Sequence, residues 1–261
     1  MPDIQIAGIR MHYQVEGQGE PLLFIHGLGS SLRDWAAQRA HFAQSYQVIS
    51  LDLRGHGGSA KPPGPYGMPL FAADSAALLD TLGVGPAHVV GISMGGMVAF
   101  QLALDAPRQV RSLTIVNSAP ELLIRTPRER LKVWQRQLIV RLLGMRKIAE
   151  VLSTRLFPEP GHADLRRTFI ERWAENDPRA YRDSLRAMLG WSVADRLAEI
   201  ACPTLVIAAD QDYTPLATKQ AYVARLPNAR LAVIPDARHA VPVERPEAFN
   251  RILSEFLDGR R

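Results

Sequence analysis

The stretch Gly91-Ile92-Ser93-Met94-Gly95 is the part of this sequence best suited to covalent chemistry. It follows the apolar pair Val89-Val90 and leads into Gly96-Met97-Val98-Ala99-Phe100. The pattern G-x-S-x-G therefore stands where a strand enters a sharp turn and then a helix. Side chains two residues either side of the serine would collide with neighbouring backbone in such a turn, which is the physical reason for the glycines. A serine hydroxyl is a weak nucleophile and needs a base, itself held by a third group. In this motif the chain order is serine, acid, histidine. Of the seven histidines, only His162 and His239 follow Ser93. His162 lies in a segment without strands. His239 ends the loop Pro235-Asp236-Ala237-Arg238-His239, between the last expected strand and the final helix, and is the expected base. The loop after the preceding strand offers Asp210 and Asp212, one pointing into the site and the other capping the turn or facing water. Asn117, after the sixth strand, is an amide and cannot stabilise an imidazolium as a carboxylate does.

An acyl-transfer site also needs donors for a developing oxyanion. His26-Gly27-Leu28-Gly29 directly follows an apolar run. The backbone N–H groups of Leu28 and of Met94, next to the serine, are the expected donors. Gly27 and Gly29 let the chain turn close to a substrate, and His26 is read as a hydrogen-bonding brace of this loop.

These positions need a frame. β-type runs recur at 4–7 and 12–16, an opening hairpin, and then at 22–25, 47–51, 88–91, 113–116, 204–208 and 230–234. Several are short apolar runs bounded by turn residues, as in strands buried on both faces. Helical patterns at 32–44, 71–82, 94–105, 215–225 and 246–257 lie between most of them. The alternation predicts an α/β fold with a mostly parallel, doubly wound sheet of eight strands. Residues 120–195 break the rhythm: Leu131, Trp134, Leu138 and Leu142 recur at helical spacing, with further helical stretches around 165–176 and 180–189. Inserted after the sixth strand, this segment reads as a helical cap over the sheet's C-terminal edge, where open α/β sheets bind ligands. The expected organisation is a core of 1–119 and 196–261 with a cap of 120–195. Trp134, Trp173 and Trp191, with Leu138 and Met188, are candidate walls of an apolar substrate pocket. The amphipathic stretch 131–143 is read as a helix covering the sheet rather than one touching a membrane.

Composition narrows the classes. A chain of 261 residues can bury a large core without disulfides or metals, and its one cysteine, Cys202, forms no internal disulfide. The first residues lack a basic stretch followed by an apolar one, and no apolar run has membrane-spanning length. A soluble, cytoplasmic protein is expected. The net charge is +5, and residues 121–199, with sixteen Lys/Arg against eleven Asp/Glu, account for the surplus. These charges interleave with acids along helical patterns, unlike a nucleic-acid stripe, though an anionic substrate stays open. No cofactor or metal is expected: Gly55-His56-Gly57-Gly58 matches neither the Rossmann nor the P-loop pattern, and no Cys/His cluster has ligand spacing. A homodimer is left open.

Together these residues resemble the α/β-hydrolase superfamily, in its small single-domain branch with a helical cap. Asp52-Leu53-Arg54-Gly55-His56-Gly57-Gly58-Ser59 and Glu244-Arg245-Pro246-Glu247 extend the likeness, which spans about 14–257 and is weakest in the cap. In that family the acid ends a loop patterned Gly-x-x-Asp. Ala209 replaces the glycine here, and the resemblance implies Asp212 as the acid. It also implies that Asp52, Arg54 and His56 brace the fold. Residues 91–97 and 203–213 look most like 3-oxoadipate enol-lactonase-type hydrolases and related esterases. The implied activity is hydrolysis of a small-molecule carboxylic ester or lactone through an acyl-enzyme on Ser93. C–C bond hydrolysis, thioester hydrolysis and perhydrolysis are alternatives on the same triad, and a ligand-binding receptor on this scaffold is the alternative from another class. Serine at position 93 excludes epoxide-hydrolase and dehalogenase chemistry, which needs a carboxylate there.

Overall fold

A computed structural model describes residues 3–259, so the outermost residues of the expected core unit, 1–2 and 260–261, lie outside the description. The strands are β1 (Asp3–Ile6), β2 (Ile9–Glu16), β3 (Glu20–Ile25), β4 (Tyr46–Leu51), β5 (Ala87–Ile92), β6 (Val110–Val116), β7 (Thr204–Ala209) and β8 (Ala229–Ile234). They form one eight-stranded sheet in the order β1-β2-β4-β3-β5-β6-β7-β8. The β1–β2 and β2–β4 pairings are antiparallel and the rest are parallel. The helices are α1 (Ala36–Phe42), α2 (Met68–Thr81), α3 (Met94–Asp105), α4 (Pro127–Leu156), α5 (Ala163–Ala174), α6 (Pro178–Met188), α7 (Leu216–Val223), α8 (Val241–Glu244) and α9 (Pro246–Asp258). This is the expected α/β architecture.

The continuous apolar run of β3 shows why the sheet is covered on both sides. Successive side chains of a strand point to opposite faces. Leu23 and Ile25 join the core under α2 and α3 with Phe71, Val98 and Phe100. Leu22 and Phe24 join the other, with Trp35, Phe42, Phe249 and Phe256 of the α1 and α9 side. No described helix is long and apolar enough to cross a membrane.

The structure moves several boundaries. β1 ends at Ile6 because Ala7 and Gly8, with φ of 48° and 77°, form the hairpin turn, whose two central residues both need positive φ. The expected helix 32–44 splits into a 3₁₀ turn, Leu32–Trp35, and α1, the turn being pinned where the Leu32 N–H donates to Asp52 Oδ1 at 2.7 Å. α2 starts at Met68, ahead of the expected residue 71, because Pro69 is tolerated in a first turn. α4 starts at a capping box made by Thr126 and Glu129, and Gly144, with φ 77°, breaks it midway.

Helices α4, α5 and α6 lie between β6 and β7. The two ends of their segment are clasped, with Val193 N–H donating to Pro120 O at 2.8 Å and Leu122 N–H to Trp191 O at 2.9 Å. α5 and the turn after it are tied to the segment after β3 by an Arg172–Asp34 ion pair at 2.6 Å and by Asn176 Nδ2 donating to Gly29 O at 2.8 Å. β4 and β5 flank β3 on opposite sides, so the chain reverses direction there and leaves a crevice at the C-terminal ends of β3 and β5.

Candidate active site

β5 ends at Ile92 and α3 starts at Met94, so Ser93 makes the turn alone, with φ 56° and ψ −120°. A non-glycine residue holds such a conformation only where its surroundings over-determine it. Here Ser93 N–H donates to Val116 O at 3.0 Å, while Ser93 O accepts from Ser118 Oγ at 2.7 Å and Gly96 N–H at 2.9 Å. A Cβ on Gly91 would stand 2.2 Å from Gly95 O, and one on Gly95 2.2 Å from Ile25 O, so the crossing admits only glycine.

Met94 opens α3, where the first N–H groups have no acceptor within the helix. Gly27 lies against the serine, where a Cβ on it would be 3.3 Å from Ser93 Cβ, and Leu28, the next residue, lines the same cavity as Ser93. His26 holds this loop through Nδ1–H to Gly27 O at 2.8 Å and acceptance of Leu53 N–H at Nε2, 3.0 Å. Burial pushes its pKa down to about 4, so it stays neutral in the tautomer that makes both bonds. His56, buried beside His26, is pushed down to about 3, first by burial and then by His26. Asp52 accepts N–H bonds from Leu32 and Gly58, each at 2.7 Å, and Arg54 grips Asp74 at 2.5 and 2.6 Å. His26, Asp52 and Arg54 thus tie their loops to neighbouring segments.

His239 Nδ1–H donates to Asp212 Oδ1 at 2.7 Å. Asp212 Oδ2 accepts from Lys219 Nζ at 2.6 Å, and that ammonium also donates to Thr214 O at 2.8 Å. Both side chains of this ion pair are fully buried. Burial raises the Asp212 carboxyl, but His239 and Lys219 outweigh it and hold the group below its ordinary range. Asp210 is exposed and caps the next loop by accepting Ala237 N–H at 3.2 Å. Asn117 ties both loops together: Nδ2 donates to His239 O at 2.9 Å and Oδ1 accepts Ala209 N–H at 2.9 Å.

Two residues here escaped the sequence reading. Lys219 looks like an ordinary surface lysine of a short helix; its only signal is its place soon after Asp212. Tyr213 follows Asp212 directly. Its hydroxyl lies 2.5 Å from His239 Nε2, and its ring stacks on the imidazole with centroids 4.0 Å apart. Although protein surrounds the ring, 70% of its surface is accessible because it faces a cavity. Burial, then the charge of Asp212, raises its phenol and keeps it protonated.

That cavity has a volume of about 1450 Å³, with Ser93, His239, Leu28 and Tyr213 on its floor and Val133, Ile139, Phe169 and Met188 from the helical segment opposite. Trp173 lines it and packs against Gly29, where a Cβ would come within 2.9 Å of the indole. The other two candidate walls stand elsewhere. Trp134 is exposed and not part of the lining, and Trp191 donates its indole N–H to Gln101 at 2.8 Å at the base of the insertion. Leu138 is also absent from the lining. Glu159, His162 and Glu244 bring possible metal-ligand atoms within 4.8 Å of one another. Arg238 pairs with both glutamates, at 3.1 and 3.0 Å, and already supplies their countercharge.

A family model described as the alpha/beta hydrolase fold matches residues 20–246. The chain is 33% identical over 257 residues to 3-oxoadipate enol-lactonase 2 of Acinetobacter baylyi, covering 95% of this chain and 93% of that one. It is 30% identical over 254 residues to (E)-2-((N-methylformamido)methylene)succinate hydrolase of the same organism, covering 95% and 94%. Among solved structures, the enol-lactonase from Burkholderia xenovorans LB400 superposes with a TM-score of 0.91 at 26% identity, covering 98% of this chain and all of that one (100%).

Proposed function

Because the chain belongs to the α/β-hydrolase fold family, we propose that it hydrolyses a carboxylic ester or lactone through an acyl-enzyme on Ser93. The observation that carries this reading is His239, which lines the same cavity as Ser93 and is held from behind by the buried Asp212 at 2.7 Å. Ser93 Oγ attacks the acyl carbon while its proton passes to His239 Nε2, and Asp212 steadies the imidazolium. The N–H groups of Leu28 and Met94 take the oxyanion. Collapse breaks the acyl–oxygen bond, His239 protonates the leaving alkoxide, and the acyl group stays on Ser93. Water then attacks this ester, giving its proton to His239, which returns it to Ser93 as the acid departs. Direct transfer from Ser93 to Nε2 requires the Tyr213 ring to swing off His239 into the cavity it already faces. Residues 120–195 act as the cap that roofs the cavity and selects the acyl group.

A panel of p-nitrophenyl esters and simple lactones tests the reading. Saturable turnover of at least one is expected. Binding of panel members by thermal shift with no turnover of any would favour a receptor instead.

The cap also carries a charge preference. Arg136 lines the cavity, its Nε donates to Tyr181 Oη at 2.7 Å, and its guanidinium sits 5.5 Å over that ring. Among the described residues no carboxylate pairs with it, and its charge is felt at Tyr213 beside Ser93. Two of the relatives are named for derivatives of dicarboxylic acids, adipate and succinate. A substrate carboxylate would complete Arg136. Arg136→Gln is expected to raise KM for a carboxylate-bearing ester roughly tenfold to a hundredfold, the scale of a charged hydrogen bond of about 1.5–3 kcal/mol, and to change KM for a neutral ester far less. Equal changes for both esters would remove Arg136 as the anion receptor.

A further inference from the structure

The apolar stripe of α4 faces away from the sheet. Leu131 (51% exposed), Trp134 (59%) and Leu142 (67%), with the half-buried Leu138 between them, recur at spacings of three and four and share one side of the helix. Val133, Arg136 and Ile139, on the other side, line the cavity. A stripe of this size left in water on a single helix calls for a partner.

The charges around it name the kind of partner. Residues 127–147 hold seven Lys/Arg against one acid, a surplus of six on a chain whose net charge is +5. That acid, Glu129, is occupied by the backbone N–H groups of Arg125 and Thr126 at 2.9 and 3.0 Å. On helical spacing Arg130 and Arg141 flank the stripe on one side and Arg128 on the other; all three are exposed and have no carboxylate partner among the described residues. A second copy meeting this face by two-fold symmetry would set these cations against their own images. A nucleic acid would satisfy the arginines and leave the leucines and Trp134 in water. An anionic lipid surface satisfies both: the apolar side chains enter the acyl boundary while the arginines meet headgroup phosphates.

We propose that α4 docks this protein on anionic bilayers, lying in the plane of the interface with Leu131, Trp134 and Leu142 inserted. The full chain would be sedimented with phosphatidylcholine vesicles, with and without phosphatidylglycerol. Strong partitioning onto the anionic vesicles, weak partitioning onto the neutral ones, and release as salt rises are expected. Trp134 is the exposed one of the four tryptophans, the others being buried or half-buried, so binding should shift the emission to the blue, and Trp134→Phe should abolish most of that shift. Replacing Arg128, Arg130 and Arg141 by Gln should weaken partitioning about a hundredfold, as the loss of three juxtamembrane charges predicts. Leu131→Ser with Leu142→Ser should weaken it on either salt background. All these side chains are exposed, and an unchanged melting temperature would show that the variants fold. The proposal is overturned by equal partitioning onto neutral and anionic vesicles, or by no partitioning onto either. It is also overturned by a dimer in sedimentation velocity that the serine variants dissolve while the wild type leaves vesicles alone.

Discussion

Replacing Ser93 with alanine is expected to lower ester turnover by on the order of 10⁶ in kcat, the scale seen when a triad nucleophile is removed. It should also abolish labelling by a fluorophosphonate, which adds a fixed mass to the tryptic peptide holding the nucleophile. The prediction is clean because alanine keeps everything the fold needs at this turn. The φ of 56° is no worse for alanine than for serine, and the bonds to Val116 and Ser118 use backbone atoms of residue 93. Loss of activity would therefore not be loss of structure, and an unchanged melting temperature checks this. The sharpest competitor is Ser118, which lines the same cavity but spends its hydroxyl on Ser93 O at 2.7 Å. Labelling of Ser118, or of any other serine, would sink the assignment of Ser93.

Geometry that depends on a local backbone shape was legible in the sequence, and geometry that depends on which surfaces meet was not. Gly91 and Gly95 announce a crossing too tight for side chains because the clash is with nearby backbone, and the same local logic marks the apolar runs of β3 to β7. Helix starts were less legible because a side-chain cap or an N-terminal proline extends them beyond the apolar pattern, as at Thr126 and Pro69. The loop 209–212 offered two aspartates, and only the packed structure separates them, with Asp210 in solvent and Asp212 against His239. Periodicity identified the stripe Leu131–Trp134–Leu138–Leu142 as one face. It could not say whether that face meets the sheet or solvent, since the two differ by a rotation of α4 about its own axis. Lys219 was illegible for a related reason: its burial comes from β7, the Thr214 carbonyl and Asp212 closing around it.

The two carboxylates of that loop, and the lysine behind one of them, yield the second large effect. Asp212→Asn is expected to cost roughly a factor of 10³–10⁴ in kcat, the scale known for removing the carboxylate of a triad, and Asp210→Asn much less. The amide cannot stabilise the imidazolium, and it presents an N–H to a partner that is already a donor. Lys219 bears on the same carboxylate from the far side. Lys219→Met leaves Asp212 buried with His239 alone, and breaking a buried pair this way costs about 3–5 kcal/mol of stability. With the cation gone the Asp212 carboxyl rises, so its ionised form, and the activity needing it, is lost at a higher pH as the solution is acidified. In the wild type the carboxyl titrates below its unfolded value. It therefore stabilises the fold above the ordinary aspartate range, and that contribution fades as pH falls through the native value. The double variant Lys219→Met/Asp212→Asn removes both charges and should recover much of the lost melting temperature without recovering activity, the non-additivity of groups in contact. If the double variant melts as low as the sum of the single losses, Lys219 is packing rather than a partner of Asp212. If Asp210→Asn is the more damaging of the two aspartate changes, the acid has been misassigned while Ser93 and His239 stand.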